Sequence, residues 1–236
     1  MINQQPIEKL DYHPDGSLDL HSLFYTIQGE GPHTGKPAIF VRLGGCNLQC
    51  PGCDTDYTST RTRVMPLKLR DMVLELKEDE HPEAPSPLIV VTGGEPFRQN
   101  VTTFCNMMVN RGFRVQIESN GTLEPDAHLD RSVEIVVSPK TGKINLGMEK
   151  RITALKYVVK HGCIDRKDGL PIRSLDHTAS PTVAKPALSY RGPIYLQPMD
   201  EGNMHTNRRN ADAAALACKQ HGHILQIQTH KVVGIE

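Results

Sequence analysis

Apolar residues along this chain fall into short continuous runs separated by turn-forming residues. The first clear run, Pro37–Leu43 (PAIFVRL), is cut off by Gly44-Gly45 and is predicted to be a buried strand. Leu88–Val91, Phe113–Glu118, Glu134–Val137, Ala154–Val159, Pro193–Leu196 and Ile224–Ile227 repeat the pattern. Between them the periodicity changes. Leu67, Leu69, Met72, Val73 and Leu76 recur at three- and four-residue steps, which predicts a helix over Met65–Asp79. Asn100–Arg111, stopped by Gly112, and the alanine-rich Asn207–Gln220, stopped by Gly222, are further predicted helices. Glu80–Pro87 carries three prolines and reads as a loop.

Strands alternating with helices imply a parallel sheet covered by helices. Right-handed crossovers curl such a chain toward a β/α barrel or part of one, so the expected fold is α/β, a partial parallel barrel in a single domain over residues 1–236. The polar stretch Cys163–Gly192, with prolines at 171, 181 and 186, reads as an insertion or long loop without an assigned architecture. The distinctive polar clusters all fall where a predicted strand ends: GGCNLQCPGCDT, TGGEP, ESNGT, SPK, QPMD and QTH. In parallel α/β folds the loops after the strands converge, so six such clusters point to one large site.

Composition narrows the function classes. Lys and Arg number 27 against 27 Asp and Glu, and Trp is absent, which argues against a nucleic-acid or membrane surface. Met1–Asp19 is polar and lacks the basic start and apolar core of a signal peptide, so a cytoplasmic location is expected. Of six cysteines, three lie within Cys46–Cys53, a crowding that suits a metal better than disulfides. Cys105, Cys163 and Cys218 are scattered and are expected to be core or inert thiols.

Cys46-x3-Cys50-x2-Cys53 offers three soft thiolates from one loop, suited to an iron–sulfur cluster, zinc or copper. A structural zinc site usually closes with four protein ligands, and the nearest histidines in sequence are His33 and His81. Zinc with a remote fourth ligand therefore stays open as an alternative. Three ligands on a four-iron cluster leave one iron free to bind another molecule.

The cysteine motif after the first predicted strand, with Gly93-Gly94-Glu95-Pro96 after the second, resembles the radical S-adenosylmethionine superfamily. The resemblance implies a [4Fe-4S] cluster on Cys46, Cys50 and Cys53, with S-adenosylmethionine on the open iron. Gly94 and Glu95 would then present the turn to the cofactor's methionyl group. A second layer comprises the Ser22–Gly31 run with its QGEG, Arg42, Cys53-Asp54-Thr55, Glu118–Thr122, Ser138-Pro139-Lys140 and Gln197-Pro198-Met199-Asp200. It is similar to the 7-carboxy-7-deazaguanine synthases.

That likeness implies ring contraction of 6-carboxy-5,6,7,8-tetrahydropterin with loss of ammonia, started by a 5′-deoxyadenosyl radical, in queuosine and deazapurine biosynthesis. It also implies Mg2+ at Thr55, pterin contacts from Ile27, Gln28, Gly29, Glu30 and Thr92, and cofactor contacts from Ser138–Lys140 and Gln197–Asp200. Arg42 suits a substrate carboxylate bidentately, or a structural ion pair with a neighbouring acid. Glu118 either touches substrate or pairs with a lysine. Asp200 accepts from a ribose hydroxyl or caps a helix. His230 and Glu236 belong to a terminal segment expected to fold over the pterin. A homodimer and a flavodoxin or ferredoxin-like reductant follow from the same likeness. A glycyl-radical-activating enzyme and a non-enzymatic metal-binding module are the rival readings.

Overall fold

The computed structural model describes residues 3–80, 82–83, 85–177, 180 and 182–235. The chain runs β1 (Leu18–Ile27), β2 (Pro37–Leu43), β3 (Thr62–Val64), α1 (Pro66–Glu80), β4 (Leu88–Gly93), α2 (Thr102–Asn110) and β5 (Val115–Ser119). It continues through β6 (Glu134–Val137), α3 (Leu146–Glu149), β7 (Ile152–Val159), β8 (Ile194–Pro198), α4 (Met204–His221), β9 (Ile224–Leu225) and α5 (Thr229–Val233). Among the described residues the strands form one sheet in the order β3-β1-β2-β4-β5-β6-β7-β8-β9. From β2 to β9 every pairing is parallel, whereas β1 pairs antiparallel with both β2 and β3. The sheet is open, with β3 and β9 at its edges, so the expected partial barrel is what forms.

The two-residue alternation of each strand assigns its two faces different tasks. Ile39, Val41, Ile89, Val91, Ile117, Ile135, Val137, Leu155, Tyr157 and Leu196 join the main core, which the helices cover with Leu69, Val73, Phe104, Met108, Ala214 and Ala217. The other face carries a smaller apolar cluster of Ala38, Leu88 and Val90 packed with Phe40. Beyond that cluster, toward the strand ends, it turns polar: register sets Arg42 opposite Thr92, Glu118 opposite Val136 and Lys156 opposite Tyr195.

The predicted strands and helices are present with small shifts at their ends. Helix α4 is capped by the Asn203 side chain, which accepts from Thr206 N, and ends at Gly222 with φ 76°. Four elements were not foreseen: β1, β3, α3 and α5. The stretch 163–192 has no helix or strand among its described residues, yet it packs inward through Leu170, Val183 and Ala184, with the Tyr157 hydroxyl donating to Ala184 O at 2.8 Å. Cys105 and Cys218 are core residues, and Cys163 is half-buried and unpaired.

Candidate active site

A cavity of about 310 Å³ opens where the parallel strands end, a size typical of small-molecule sites. One wall is the cysteine loop, where Cys46, Cys50 and Cys53 are all free thiols facing the cavity. The GGEP turn packs directly against it. A Cβ on Gly94 would fall 2.2 Å from Gly45 O and 2.7 Å from Cys46 Cβ, so only glycine lets the two loops touch. Gly94 and Thr92 line the cavity.

Glu95 departs from its expected position. Its carboxylate is fully buried behind the wall, accepting from Asn120 N at 2.7 Å, Ser119 Oγ at 2.8 Å and Phe97 N at 3.2 Å. These bonds tie the GGEP turn to the end of β5, while burial pushes the Glu95 pKa up to about 7. Pro139 likewise lies off the cavity wall, whereas Ser138 and Lys140 line it. Lys140 donates to Ser138 O at 3.0 Å and also meets Ser138 Oγ. Burial holds the pKa of Lys140 below the ordinary lysine value.

Another part of the cavity wall is a polar network. Gln28 Nε2 donates to Glu118 Oε1 at 2.9 Å, and Lys156 Nζ bonds Glu30 and lies 3.7 Å from Glu118 Oε2. Burial alone would raise the Glu30 pKa, but the Lys156 ammonium more than offsets that and holds it low. Both alternatives for Glu118 are thus compatible in space, since it faces the cavity and neighbours a lysine. Arg42 makes no ion pair among the described residues. Its guanidinium lies 5.3 Å from the Phe24 ring centroid, and its buried Nε has no partner, leaving the fork available to a ligand.

The end of β8 contributes Gln197, Pro198, Met199 and Asp200 to the cavity. Asp200 accepts from Gly202 N, Asn207 Nδ2 and Lys231 Nζ, while the cap of the following helix is Asn203. The C-terminal segment closes one side. Thr229 N donates to Gly29 O at 3.1 Å, and His230 packs so tightly that a Cβ on Gly29 would meet its Nδ1 at 2.0 Å. Ile27 and Gly29 line the cavity with His230, and Lys231 bridges Asp54 at 2.8 Å and Asp200 at 3.0 Å. Glu236 lies outside the described residues, as does His81.

The donor set fits a cluster better than a single ion. Among the described residues, the one group whose ligand atoms all lie within 4.8 Å of one another is Asp11, His13 and Asp19. At least one pair of the three Sγ atoms is therefore more than 4.8 Å apart, wider than one shared tetrahedral zinc would hold them. Burial pushes the thiols up, Cys46 to about 12 and Cys50 to about 11, so loading a metal must displace protons. The Asp11–His13–Asp19 group is itself balanced by guanidinium groups. Arg61 and Arg63 lie 3.8 and 3.5 Å from Asp19, and Arg98 lies 3.9 Å from Asp11. Thr55 faces the cavity beside Asp54, an oxygen-rich corner of the kind Mg2+ favours.

Lys156 and Lys231 were missed in the sequence, and Asp54 was named only within Cys53-Asp54-Thr55, with no role of its own. A lysine inside the apolar run ALKYVV was the available signal, because a lysine is rarely buried unless paired. Nothing local marks Lys231.

The family model described as the radical SAM superfamily matches residues 40–171. The chain is 37% identical to a 7-carboxy-7-deazaguanine synthase of Rhodospirillum rubrum over 100% of both chains. It is 35% identical to that of Rickettsia prowazekii over 94% of this chain and 91% of the relative. The fold is similar to the crystal structure of QueE from Escherichia coli, with a TM-score of 0.66 at 23% identity, covering 90% of this chain and 94% of that one. No helix among the described residues is long and apolar enough to cross a membrane. A superfamily match across more than half of the chain, joined to full-length similarity, shows that it belongs to the radical SAM superfamily, among the 7-carboxy-7-deazaguanine synthases.

Proposed function

We propose that this chain contracts 6-carboxy-5,6,7,8-tetrahydropterin to 7-carboxy-7-deazaguanine, with loss of ammonia, in the cavity at the strand ends. The observation that carries this reading is one cavity lined both by three free cysteines and by the Glu30 and Glu118 carboxylates beside Lys156, with an Arg42 guanidinium that makes no ion pair among the described residues. When bound, a [4Fe-4S] cluster on Cys46, Cys50 and Cys53 with S-adenosylmethionine supplies the electron and the radical that start the reaction.

The chain's own residues bind and orient. Arg42 takes the substrate carboxylate in a bidentate pair, and Thr55 would hold Mg2+, which would supply a polarising positive charge there. Glu118 and Glu30 accept N–H groups of the pterin ring, with Lys156 between them, whose ammonium helps hold the Glu30 carboxyl below its ordinary range. Ser138, Lys140 and Gln197–Asp200 hold the cofactor. His230, seated on Gly29, covers the ring and keeps water from the reacting carbon. The reading includes one domain over 1–236, with 163–192 an insertion or long loop, a cytoplasmic homodimer, and a flavodoxin or ferredoxin-like reductant.

Anaerobic incubation of reconstituted protein with the carboxy-tetrahydropterin, S-adenosylmethionine and a reductant tests it. The deazaguanine acid is expected; its absence with an intact cluster would sink the substrate assignment. Cys50→Ala should abolish the cluster's broad visible absorbance.

A further inference from the structure

The cysteine loop, from Cys46 to Tyr57, makes few backbone hydrogen bonds of its own. Among the described residues they are Cys53 N to Cys50 O at 3.1 Å and, to neighbouring segments, Gly52 N to Leu175 O and Gly45 N to Tyr57 O. A loop that must hold three metal ligands needs its backbone groups satisfied by something else. The N-terminal segment, residues 3–11, does this along the whole loop. Glu8 N donates to Cys46 O at 2.7 Å, Asn3 Nδ2 to Cys50 O at 3.2 Å, and Asn3 N to Pro51 O at 3.0 Å. The far end of the segment is anchored on the residues after GGEP, with Arg98 donating to Lys9 O at 2.8 Å and Asp11 N donating to Arg98 O at 2.9 Å.

Gln5 stands out within it. Its Nε2 donates to Thr55 O at 2.8 Å, and its Oε1 accepts from Tyr57 N at 2.8 Å and Thr58 Oγ1 at 3.1 Å. Bonding the carbonyl before Asp56 and the N–H after it is the pattern one residue of a parallel strand makes with its neighbour. One carboxamide thus supplies a single rung of sheet to a stretch that has none. Gln5 is itself held by Asn3 Oδ1, which accepts from Gln5 N at 3.0 Å and Gln5 Nε2 at 3.2 Å, and Gln49 Nε2 donates to Gln5 O at 2.7 Å.

Thr55 O has a second neighbour, the Cys53 thiol, at 3.7 Å.

We propose that Gln5 is a positioning residue for the metal site: it fixes the backbone from Cys53 to Tyr57, and with it the third cluster thiolate and the Thr55 hydroxyl. This rests on the reading of Cys46, Cys50 and Cys53 as cluster ligands. Partners that orient metal ligands commonly change metal affinity 10–100-fold when removed.

The test compares the unsubstituted protein with Gln5→Leu, Gln5→Glu and, as a control on the same segment, the exposed Gln4→Ala, each reconstituted anaerobically with iron and sulfide. Iron loss to an excess of ferrous chelator is followed by decay of the visible absorbance, and the metal-free proteins are unfolded thermally. Gln5→Leu is expected to lose iron about tenfold faster than the unsubstituted protein. Gln5→Glu, which still accepts from Tyr57 N but cannot donate to Thr55 O, should also lose it faster. Gln4→Ala should match the unsubstituted protein, and the metal-free unfolding midpoints should agree. Equal iron loss from Gln5→Leu, or a matching fall in its metal-free midpoint, would overturn the proposal. If the unsubstituted protein takes up no cluster, the reading of the cysteines fails instead.

Discussion

Lys156 shows how a single buried charge organises the floor of the cavity. It lies between Glu30 and Glu118, and removing it would leave two acids buried without their cation. Lys156→Met should lower stability by about 3–5 kcal/mol, the usual cost of stranding one partner of a buried pair. Burial alone would raise the pKa of Glu30, yet Lys156 holds it below its ordinary 4.5 in the folded chain. The stabilisation is therefore complete above about pH 4.5 and is lost as pH falls through the lower folded value. Burial works against the lysine's charge, but Glu118 and Glu30 keep its pKa above the ordinary 10.5. Its share is thus complete below about pH 10.5 and lost only at higher pH. Denaturant unfolding across pH should show a constant gap between the two proteins near neutral pH and a narrowing gap in acid, which begins where burial alone lets Glu30 protonate in the lysine-free chain. A gap that persists undiminished in acid would refute the pairing.

At the scale of elements, the short C-terminal helix α5 works as a cover. It is five residues long and cannot be stable alone, so its contacts with the rest of the chain decide where it sits. Lys231 joins it to Asp54 on the cysteine loop and to Asp200 at the end of β8. Both pairs are partly exposed, so each contributes about 0.2–1 kcal/mol. Lys231→Ala should leave the protein folded and speed amide exchange over 229–233. It should also raise KM for the pterin by about two- to tenfold with a smaller change in kcat, as steady-state kinetics would show. An unchanged exchange rate would mean that the contacts of Thr229 and His230 with Gly29 hold the cover without the lysine.

The whole molecule is an open sheet whose two margins are joined by polar contacts rather than by a strand ladder. Gln226 Nε2 donates to Gly29 O at 3.1 Å, Gly31 N donates to Gln226 Oε1 at 2.9 Å, and Gln228 Nε2 donates to Glu30 at 2.8 Å. These close the cavity on the side where the barrel is incomplete. The cysteine loop touches the GGEP turn and is hydrogen-bonded to the N-terminal segment, so loading should stabilise the chain as a unit. Reconstitution is expected to raise the thermal midpoint by about 5–15 °C, and anaerobic chelation should reverse the gain. Loading should also be favoured by higher pH, because the Cys46 and Cys50 thiols, pushed up to about 12 and 11, must lose their protons. A midpoint unaffected by iron would contradict this.

Much of this architecture is written locally. Continuous apolar runs such as Pro37–Leu43 and Leu88–Val91 can only be buried strands, and the turn residues after them mark the ends where loops converge. The cysteine spacing and the GGEP turn are equally local, which is why the cluster, the sheet and most of the cavity wall were legible without coordinates. β1 was not, because its Leu18–Ile27 run mixes polar residues and gains its place by antiparallel pairing with β2. Glu95 read as a ligand because its motif sits beside the cysteines, but its orientation depends on donors from Ser119 and Asn120 some 25 residues away. The pairing of Lys156 with Glu30 crosses 126 residues, and the Gln5 carboxamide meets Thr55 across 50. Local periodicity and turn chemistry determined the elements and the motifs. Which polar side chain meets which is a property of strand register and chain closure, and only the tertiary structure decided it.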